Sequence, residues 1–126
     1  MVDAQALADG VIGAFNEPDA QIRARQIRCL WTPTGQHFGG FVAKGYPDLE
    51  VGIQGSHDNI VIKNGWKWRA YNAQVKENIV FFMFDGVSQE GKVEAFGSYV
   101  LELADDGSIE KDYTFVLQSR YAPDDI

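Results

Sequence analysis

Residues 97–117 read GSYVLELADDGSIEKDYTFVL, and this stretch decides the fold because two alternating segments flank a turn signal. Alternation of apolar and polar residues over at least four positions is typical of a half-buried strand. The run Asp105-Asp106-Gly107 fits a three-residue hairpin loop, a type I turn followed by glycine in the left-handed region. The segment therefore predicts an antiparallel hairpin.

The expected hairpin register pairs Leu103 with Ile109 and Tyr99 with Tyr113. On this register one face is predicted to pack against helices, and it carries Tyr99, Leu101, Leu103, Ile109, Tyr113, Phe115 and Leu117. The opposite face carries Phe96, Val100 and Val116, apolar in its middle and charged at its ends. Asp112 turns to that opposite face, away from Tyr113, so we do not expect it to be catalytic.

Apolar residues at helical spacing predict three helices before the hairpin. The first follows Asp3, an expected N-cap. The second begins at Pro18, carries Trp31 on its apolar face and ends at Thr32-Pro33. The third begins at Pro47 and ends at Asn64-Gly65, weakened by Gly52 and Gly55.

Strand-like patterns complete the chain. Residues 34–43 predict a short strand pair, and residues 66–70, 79–84, 93–103 and 109–117 predict four longer strands. The predicted fold class is α+β, a single domain over residues 1–126 with three N-terminal helices packed on a mostly antiparallel sheet.

The stretch IVFFMF at residues 79–84 is apolar at both strand parities, which requires cover on both faces. Helices can cover one face, and the simplest cover for the other is a second copy of the chain. We therefore expect a homodimer through the outer sheet face. The pattern leaves the parity of residues 79–84 open, and an outward residue such as Phe82 is expected in this dimer layer with Phe96, Val100 and Val116.

The composition excludes several classes of partner. Eleven Lys and Arg against 18 Asp and Glu give a net charge of −7, which argues against nucleic acid and against an anionic membrane surface. Hydrophobic residues at 45% exclude intrinsic disorder. No apolar run approaches the roughly 20 residues that cross a bilayer. One cysteine and an N-terminus without a basic leader predict a cytoplasmic location.

Three stretches carry a family resemblance, and they read Phe15-Asn16-Glu17-Pro18-Asp19, Leu30-Trp31-Thr32-Pro33, and Asp105-Asp106-Gly107 followed by Ile109 and Asp112-Tyr113-Thr114-Phe115. With them the chain resembles the nuclear transport factor 2-like superfamily, and most closely its SnoaL-like or polyketide-cyclase branch, relatives of ketosteroid isomerase. The resemblance implies a cone-shaped α+β barrel with an apolar pocket between helices and curved sheet. It also implies dimerisation through the outer sheet face.

The resemblance further implies an acid, or a histidine with an acid, in the pocket, often on the short strand after the second helix. Here that strand reads Gln36-His37-Phe38-Gly39-Gly40, which makes His37 a candidate. Members of the family often have Asp-Pro where this chain has Gly39-Gly40. Many relatives have an acid about where this chain has Tyr99.

The candidate catalytic residues are His37, Tyr99 and Tyr113. A neutral imidazole can act as a general base, and two phenol hydroxyls can stabilise a developing negative charge on a ligand oxygen. The alternative is a half-exposed strand histidine beside an aromatic pair whose hydroxyls bind backbone. The candidate ligand-binding residues, which core packing would equally explain, are Phe15, Trp31, Phe38, Phe41, Trp68 and Phe115.

We expect no metal and no cofactor. Cys29, His37 and His57 lack metal-ligand spacing, His57 is expected to be structural, and the chain contains no phosphate loop or dinucleotide fingerprint. The favoured function is a cofactor-independent isomerase, cyclase or dehydratase that acts on a small apolar or aromatic carbonyl compound. The alternatives are a non-catalytic small-ligand binder or dimeric scaffold, and an interaction module that uses the outer sheet face.

Overall fold

The three helices lie close to where their sequence signals place them. In the computed structural model, which describes residues 2–119, α1 spans Ala4–Asn16, α2 spans Ala20–Leu30 and α3 spans Tyr46–Ser56. Asp3 caps α1 by accepting the Ala6 N–H at 3.0 Å, and Asp19 caps α2 by accepting the Gln21 N–H at 2.8 Å. A π-helical segment, His57–Ile62, continues α3. The three predicted helices are therefore confirmed.

The end of the second helix was predicted wrongly. Helix α2 ends at Leu30, and Trp31 is the first residue of a strand rather than part of a helical face. Trp31 and Thr32 are residue types that favour extended backbone, and here the pairing of Trp31 with Ile109 on the last strand decides their conformation.

Six strands form one open, mixed sheet. They are β1 (Trp31–Phe38), β2 (Val42–Lys44), β3 (Lys67–Lys76), β4 (Ile79–Val87), β5 (Val93–Leu103) and β6 (Ile109–Ser119). Their order across the sheet is β2-β1-β6-β5-β4-β3. Only the β1–β6 pair is parallel, which confirms the predicted α+β class with a mostly antiparallel sheet.

The β5–β6 register differs from the predicted one by one residue between the Glu102–Lys111 and Gly97–Val116 pairs, and by a second residue at the Phe96–Gln118 pair. Leu103 pairs with Ile109 as expected, but Glu102 then pairs with Lys111, so Glu110 is an extra residue on β6. Beyond this bulge Tyr99 pairs with Thr114 instead of Tyr113. Because side chains alternate between faces, one extra residue turns over residues 111–116 of β6, up to the second shift. Asp112 therefore faces the core, and the predicted inward positions of Tyr113, Phe115 and Leu117 are wrong.

The assignment of the β4 faces also needs correction. Val80, Phe82 and Phe84 are buried in the core, whereas Phe81 and Met83 are half-buried on the other face. The placement of Phe82 in an outer layer was therefore wrong. Val116 pairs with Gly97 and packs against the core, so its predicted outward position was wrong too. We call the face with Phe81, Met83, Val100 and Phe115 the outer face.

Helix α1 packs on β3 and β4, and α3 packs near β1 and β2. The buried apolar side chains between these helices and the sheet form one cluster. The site described below lies in this layer. No helix within residues 2–119 has the length and apolar character needed to span a bilayer.

Candidate functional site

The parallel pairing of β1 and β6 places His37 beside Asp112. His37 Nδ1 lies 2.5 Å from Asp112 Oδ1, and both side chains are almost fully buried. A carboxylate only accepts hydrogen bonds, so Nδ1 carries the hydrogen and donates it. The second ring nitrogen, Nε2, is left as the basic atom when the imidazole is neutral.

The other carboxylate oxygen of Asp112 is held by Trp31. The indole Nε1 donates to Asp112 Oδ2 at 2.7 Å, and Trp31 is 1% exposed. Hydrogen bonds to a charged acceptor are about twice as strong as neutral ones, and a buried carboxylate needs them to offset its lost hydration. Trp31, predicted to line a ligand cavity, therefore orients the carboxylate.

Tyr99 is the third polar group at this site. Its hydroxyl lies 3.3 Å from His37 Nδ1, and its ring stacks on Phe82 with centroids 4.9 Å apart. Burial, and next the negative charge of Asp112, raise the pKa of Tyr99 well above its ordinary value of about 10. The phenol therefore keeps its proton and is a hydrogen-bond donor.

His37 and Tyr99 lie in the wall of a largely apolar cavity between the helices and the sheet. Its volume, including its opening to solvent, is about 320 Å³. Of this, only about 20 Å³ is open to the centre of a water-sized molecule, which is room for about one water, so a bound ketone requires the lining side chains to move apart. The cavity is lined by Ile12, Phe15, His37, Ser56, Trp68, Phe84, Tyr99 and Thr114.

Phe41 covers one face of the His37 ring. The two rings are stacked with centroids 4.1 Å apart and 25° between their planes. A Cβ at Gly52 would lie 2.2 Å from Phe41 Cε2, so the ring occupies space that only glycine on α3 leaves open. A Cβ at Gly39 would lie 2.8 Å from His37 Nε2. Glycine at position 52 therefore leaves room for the Phe41 ring that stacks on His37. Glycine at position 39 leaves the space beside His37 Nε2 free of a side chain.

The structure brings only some of the predicted site residues together. Phe15 and Trp68 line the cavity with His37 and Tyr99, and Phe41 contacts His37. Tyr113 lies on the outer face, where it stacks on Phe38 at 5.3 Å, and Phe115 is 53% exposed there. The bulge at Glu110 turns β6 over and takes Tyr113 and Phe115 away from the cavity, and Phe38 faces away because it follows the inward His37 on β1.

Asp112 was the residue that the sequence analysis missed. The prediction turned it away from the pocket, yet it is 0% exposed and bound to His37. A usable signal was present, since the resemblance implies an acid partner for a pocket histidine and the residue range of β6 holds only one other acid, Glu110. His57 has a different role: its Nδ1 donates to the Phe15 carbonyl at 2.7 Å.

No protein-family model matches the sequence, and a search of curated proteins found no significant match. Solved structures do match the fold. A candidate isomerase of the SnoaL-like family from Agrobacterium tumefaciens str. C58 superimposes with a TM-score of 0.85 at 18% identity, covering 94% of this chain and 100% of that one. A candidate SnoaL-like polyketide cyclase from Jannaschia sp. CCS1 gives 0.67 at 14% identity, covering 93% and 90%.

An NTF2-like protein of unknown function from Cytophaga hutchinsonii ATCC 33406 gives a TM-score of 0.62 at 14% identity, covering 92% of this chain and 91% of that one. The cone-shaped fold of SnoaL-like and NTF2-like proteins, expected from the resemblance, is therefore confirmed. At these identities the similarity concerns the fold, and function has to be argued from the site.

Proposed function

We propose that this chain, which has the fold of SnoaL-like proteins, is a cofactor-independent acid–base enzyme of the isomerase, cyclase or dehydratase type. Its substrate is a small apolar carbonyl compound. The observation that carries the proposal is the 2.5 Å contact between Asp112 and His37 at the wall of an apolar cavity. A histidine oriented by a buried carboxylate is an arrangement that serves general-base catalysis on many folds.

In the proposed reaction, His37 Nε2 removes a proton from the carbon next to the substrate carbonyl. Asp112 then stabilises the imidazolium that forms, because its carboxylate already accepts the Nδ1 hydrogen. The electron pair of the broken C–H bond moves into the carbonyl group and produces an enolate. A largely apolar cavity strengthens these charge interactions because it excludes water.

Tyr99 is proposed to donate its hydroxyl hydrogen to the enolate oxygen. Its raised pKa keeps the phenol protonated, and rotation about the C–O bond can redirect the hydrogen from the His37–Asp112 pair to a ligand. The imidazolium can return its proton to a different carbon, which gives isomerisation. It can instead protonate a leaving hydroxyl, which gives dehydration. Where the enolate attacks a second carbonyl of the same molecule, the alkoxide that forms takes the imidazolium proton and a cyclised product results.

Proton exchange in D₂O tests this proposal without knowledge of the natural substrate. The protein is incubated with a panel of small ketones, such as cyclohexanone, cyclopentanone and acetophenone, and loss of the proton signal next to the carbonyl is followed by NMR. We expect protein-dependent exchange that falls at least about 100-fold in His37→Ala. Tyr113→Phe, a change on the outer face, is the matched control and retains exchange. Equal exchange in His37→Ala and the unmodified protein would refute the proposal.

One observation favours a second candidate, a non-catalytic ligand-binding protein. The ring of Phe41 stacks on His37 at 4.1 Å and covers one face of the imidazole. In that case a ketone of the panel binds, as seen from a raised melting temperature, but no exchange follows. Binding without exchange for every ketone of the panel would select this candidate.

We also propose that the outer face joins two copies of the chain. Phe81, Met83 and Val100 lie side by side on that face, and Phe115 beside them is 53% exposed. A contiguous apolar surface of this kind is characteristic of a protein interface. An isologous dimer would supply the same apolar surface from the partner.

A further inference from the structure

Three polar side chains of the cavity wall have no hydrogen-bond partner among the residues that the structure describes. They are the Ser56 hydroxyl, the Trp68 indole N–H and the Thr114 hydroxyl. Ser56 and Trp68 are more than nine-tenths buried, with exposures of 8% and 6%, whereas Thr114 is half-buried. A buried polar group without a partner costs about 1–3 kcal/mol, so such a group indicates a ligand or water that completes it.

The Trp68 ring is fixed in this position. The Asn16 side chain binds the Trp68 backbone twice, accepting its N–H at 2.9 Å and donating to its carbonyl at 2.7 Å. Trp66 and Phe84 pack edge-on against the ring, with centroids 6.0 Å and 5.5 Å away. The indole therefore cannot turn its N–H toward solvent without breaking this packing.

The chemistry of the Ser56 and Trp68 groups defines what they can bind. An indole N–H is only a donor, so its partner has to be an acceptor, and a serine hydroxyl can donate to the same atom. Trp68 lies on β3, the edge strand farthest from His37 on β1, with Tyr99 on β5 between them. A ligand that meets His37 and Tyr99 with one end therefore reaches Trp68 and Ser56 with a different part.

From these observations we infer that the ligand carries a second oxygen acceptor, which the Trp68 indole N–H and the Ser56 hydroxyl bind. This inference rests on the proposed function, which places the first oxygen, a carbonyl, at Tyr99. The substrate class is thereby narrowed to small apolar compounds with two oxygen acceptors at opposite ends, such as diketones or ketones with a hydroxyl or ether group.

The test compares 1,4-cyclohexanedione with cyclohexanone on the full chain, using ¹H–¹⁵N NMR of the indole groups. The three tryptophans, Trp31, Trp66 and Trp68, give three indole N–H signals, assigned with Trp→Phe variants. We expect the dione to move the Trp68 indole proton downfield, whereas cyclohexanone leaves it nearly unchanged. The Trp66 signal, from a ring outside the cavity lining, is the internal control.

Affinity ratios give a second measurement that does not depend on stability. We expect the preference for the dione over cyclohexanone to fall about fivefold in Ser56→Ala and in Trp68→Phe, the effect of one lost hydrogen bond. Ser98→Ala, a change on the outer face, is the matched control and keeps the preference.

Several results would overturn the inference. A Trp68 signal that stays in place while the His37 ring signals respond to the dione means that only water completes these groups. The inference is also overturned if the affinity ratio is unchanged in both Ser56→Ala and Trp68→Phe. It is overturned as well if no NMR signal of a cavity residue shifts at saturating dione. The proposed function fails separately: exchange that survives in His37→Ala refutes the catalysis even where the Trp68 signal moves as expected.

Discussion

His37 Nδ1 and Asp112 Oδ1 lie 2.5 Å apart although 75 positions separate the two residues in the chain. Two features of the sheet produce this contact. The parallel pairing of β1 with β6 makes the residues lateral neighbours, and the bulge at Glu110 turns Asp112 inward. The pair therefore depends on backbone geometry at a position that does not itself line the cavity.

Replacing Asp112 with asparagine is expected to disable His37 while largely preserving shape. If the amide oxygen keeps the Trp31 hydrogen bond, the amide NH₂ points at His37 Nδ1 and selects the tautomer with hydrogen on Nε2. In that tautomer Nε2 already carries a hydrogen and cannot accept the substrate proton. The rate of proton exchange should therefore fall at least about 100-fold. The exchange assay measures the rate, and ¹⁵N NMR of the imidazole identifies the tautomer.

Asp85→Asn is the matched control for that variant. Asp85 is also buried, and it binds Arg69 at 2.8 Å and the Tyr71 hydroxyl at 3.0 Å, but it lies on the outer face. We expect it to lose stability without losing exchange. Unchanged exchange in Asp112→Asn, with the fold intact in urea titration, would contradict the role of the pair.

Gly52→Ala and Gly55→Ala should have opposite effects on stability. A methyl at position 52 would lie 2.2 Å from the Phe41 ring, whereas nothing lies within 4 Å of one at position 55. Alanine in a helix is favoured over glycine by up to about 1 kcal/mol, so Gly55→Ala should stabilise. Gly52→Ala should destabilise by about 1–3 kcal/mol through overpacking and shift the NMR signals of the His37 ring. Equal stabilisation in urea titrations would show that Phe41 moves freely.

Tyr99→Phe should make the free energy of unfolding depend less steeply on pH above pH 10. The pKa of Tyr99 is raised in the folded chain, while the unfolded chain ionises near pH 10. Above pH 10 the unfolded state therefore loses this proton more readily, and the stabilising contribution of the neutral phenol, full below pH 10, declines as the pH rises. The free energy of unfolding, measured in urea from pH 8 to 11, should fall more steeply for the unmodified protein. Parallel curves would contradict the assignment, since both proteins share the other four tyrosines.

Phe81→Glu should separate the proposed dimer into monomers. A charge in the middle of an apolar interface loses its hydration without gaining a partner. Light scattering should give twice the chain mass of 14.0 kDa for the unmodified protein and the monomer mass for the variant. Val51→Glu, at a position on α3 that is 75% exposed, is the control and should remain dimeric. A monomeric mass for the unmodified protein at micromolar concentration would refute the dimer.

Local pattern predicted most of the elements. Three helices, the hairpin turn and the range of β5, Val93–Leu103, follow from periodicity and from the Asp3 cap, which depend only on neighbouring residues. Half of the candidate site also follows. The alternation of β5 indicates the inward parity of Tyr99, whereas His37 is a candidate through the family resemblance and only the structure decides its inward orientation.

The sequence by itself determined which segments are helices and strands, because these features follow from residue type and period. It offered His37, through the family resemblance, and Tyr99 and Tyr113, through the expected hairpin register, as candidate groups. Only the tertiary structure decided which face of β6 is inside. A bulge at Glu110 changes no local pattern, yet it reverses Asp112, Tyr113 and Phe115, because parity along a strand depends on counting every residue from the pairing point. The partnership of Asp112 with His37, and with it the proposed chemistry, is decided by that pairing across the sheet.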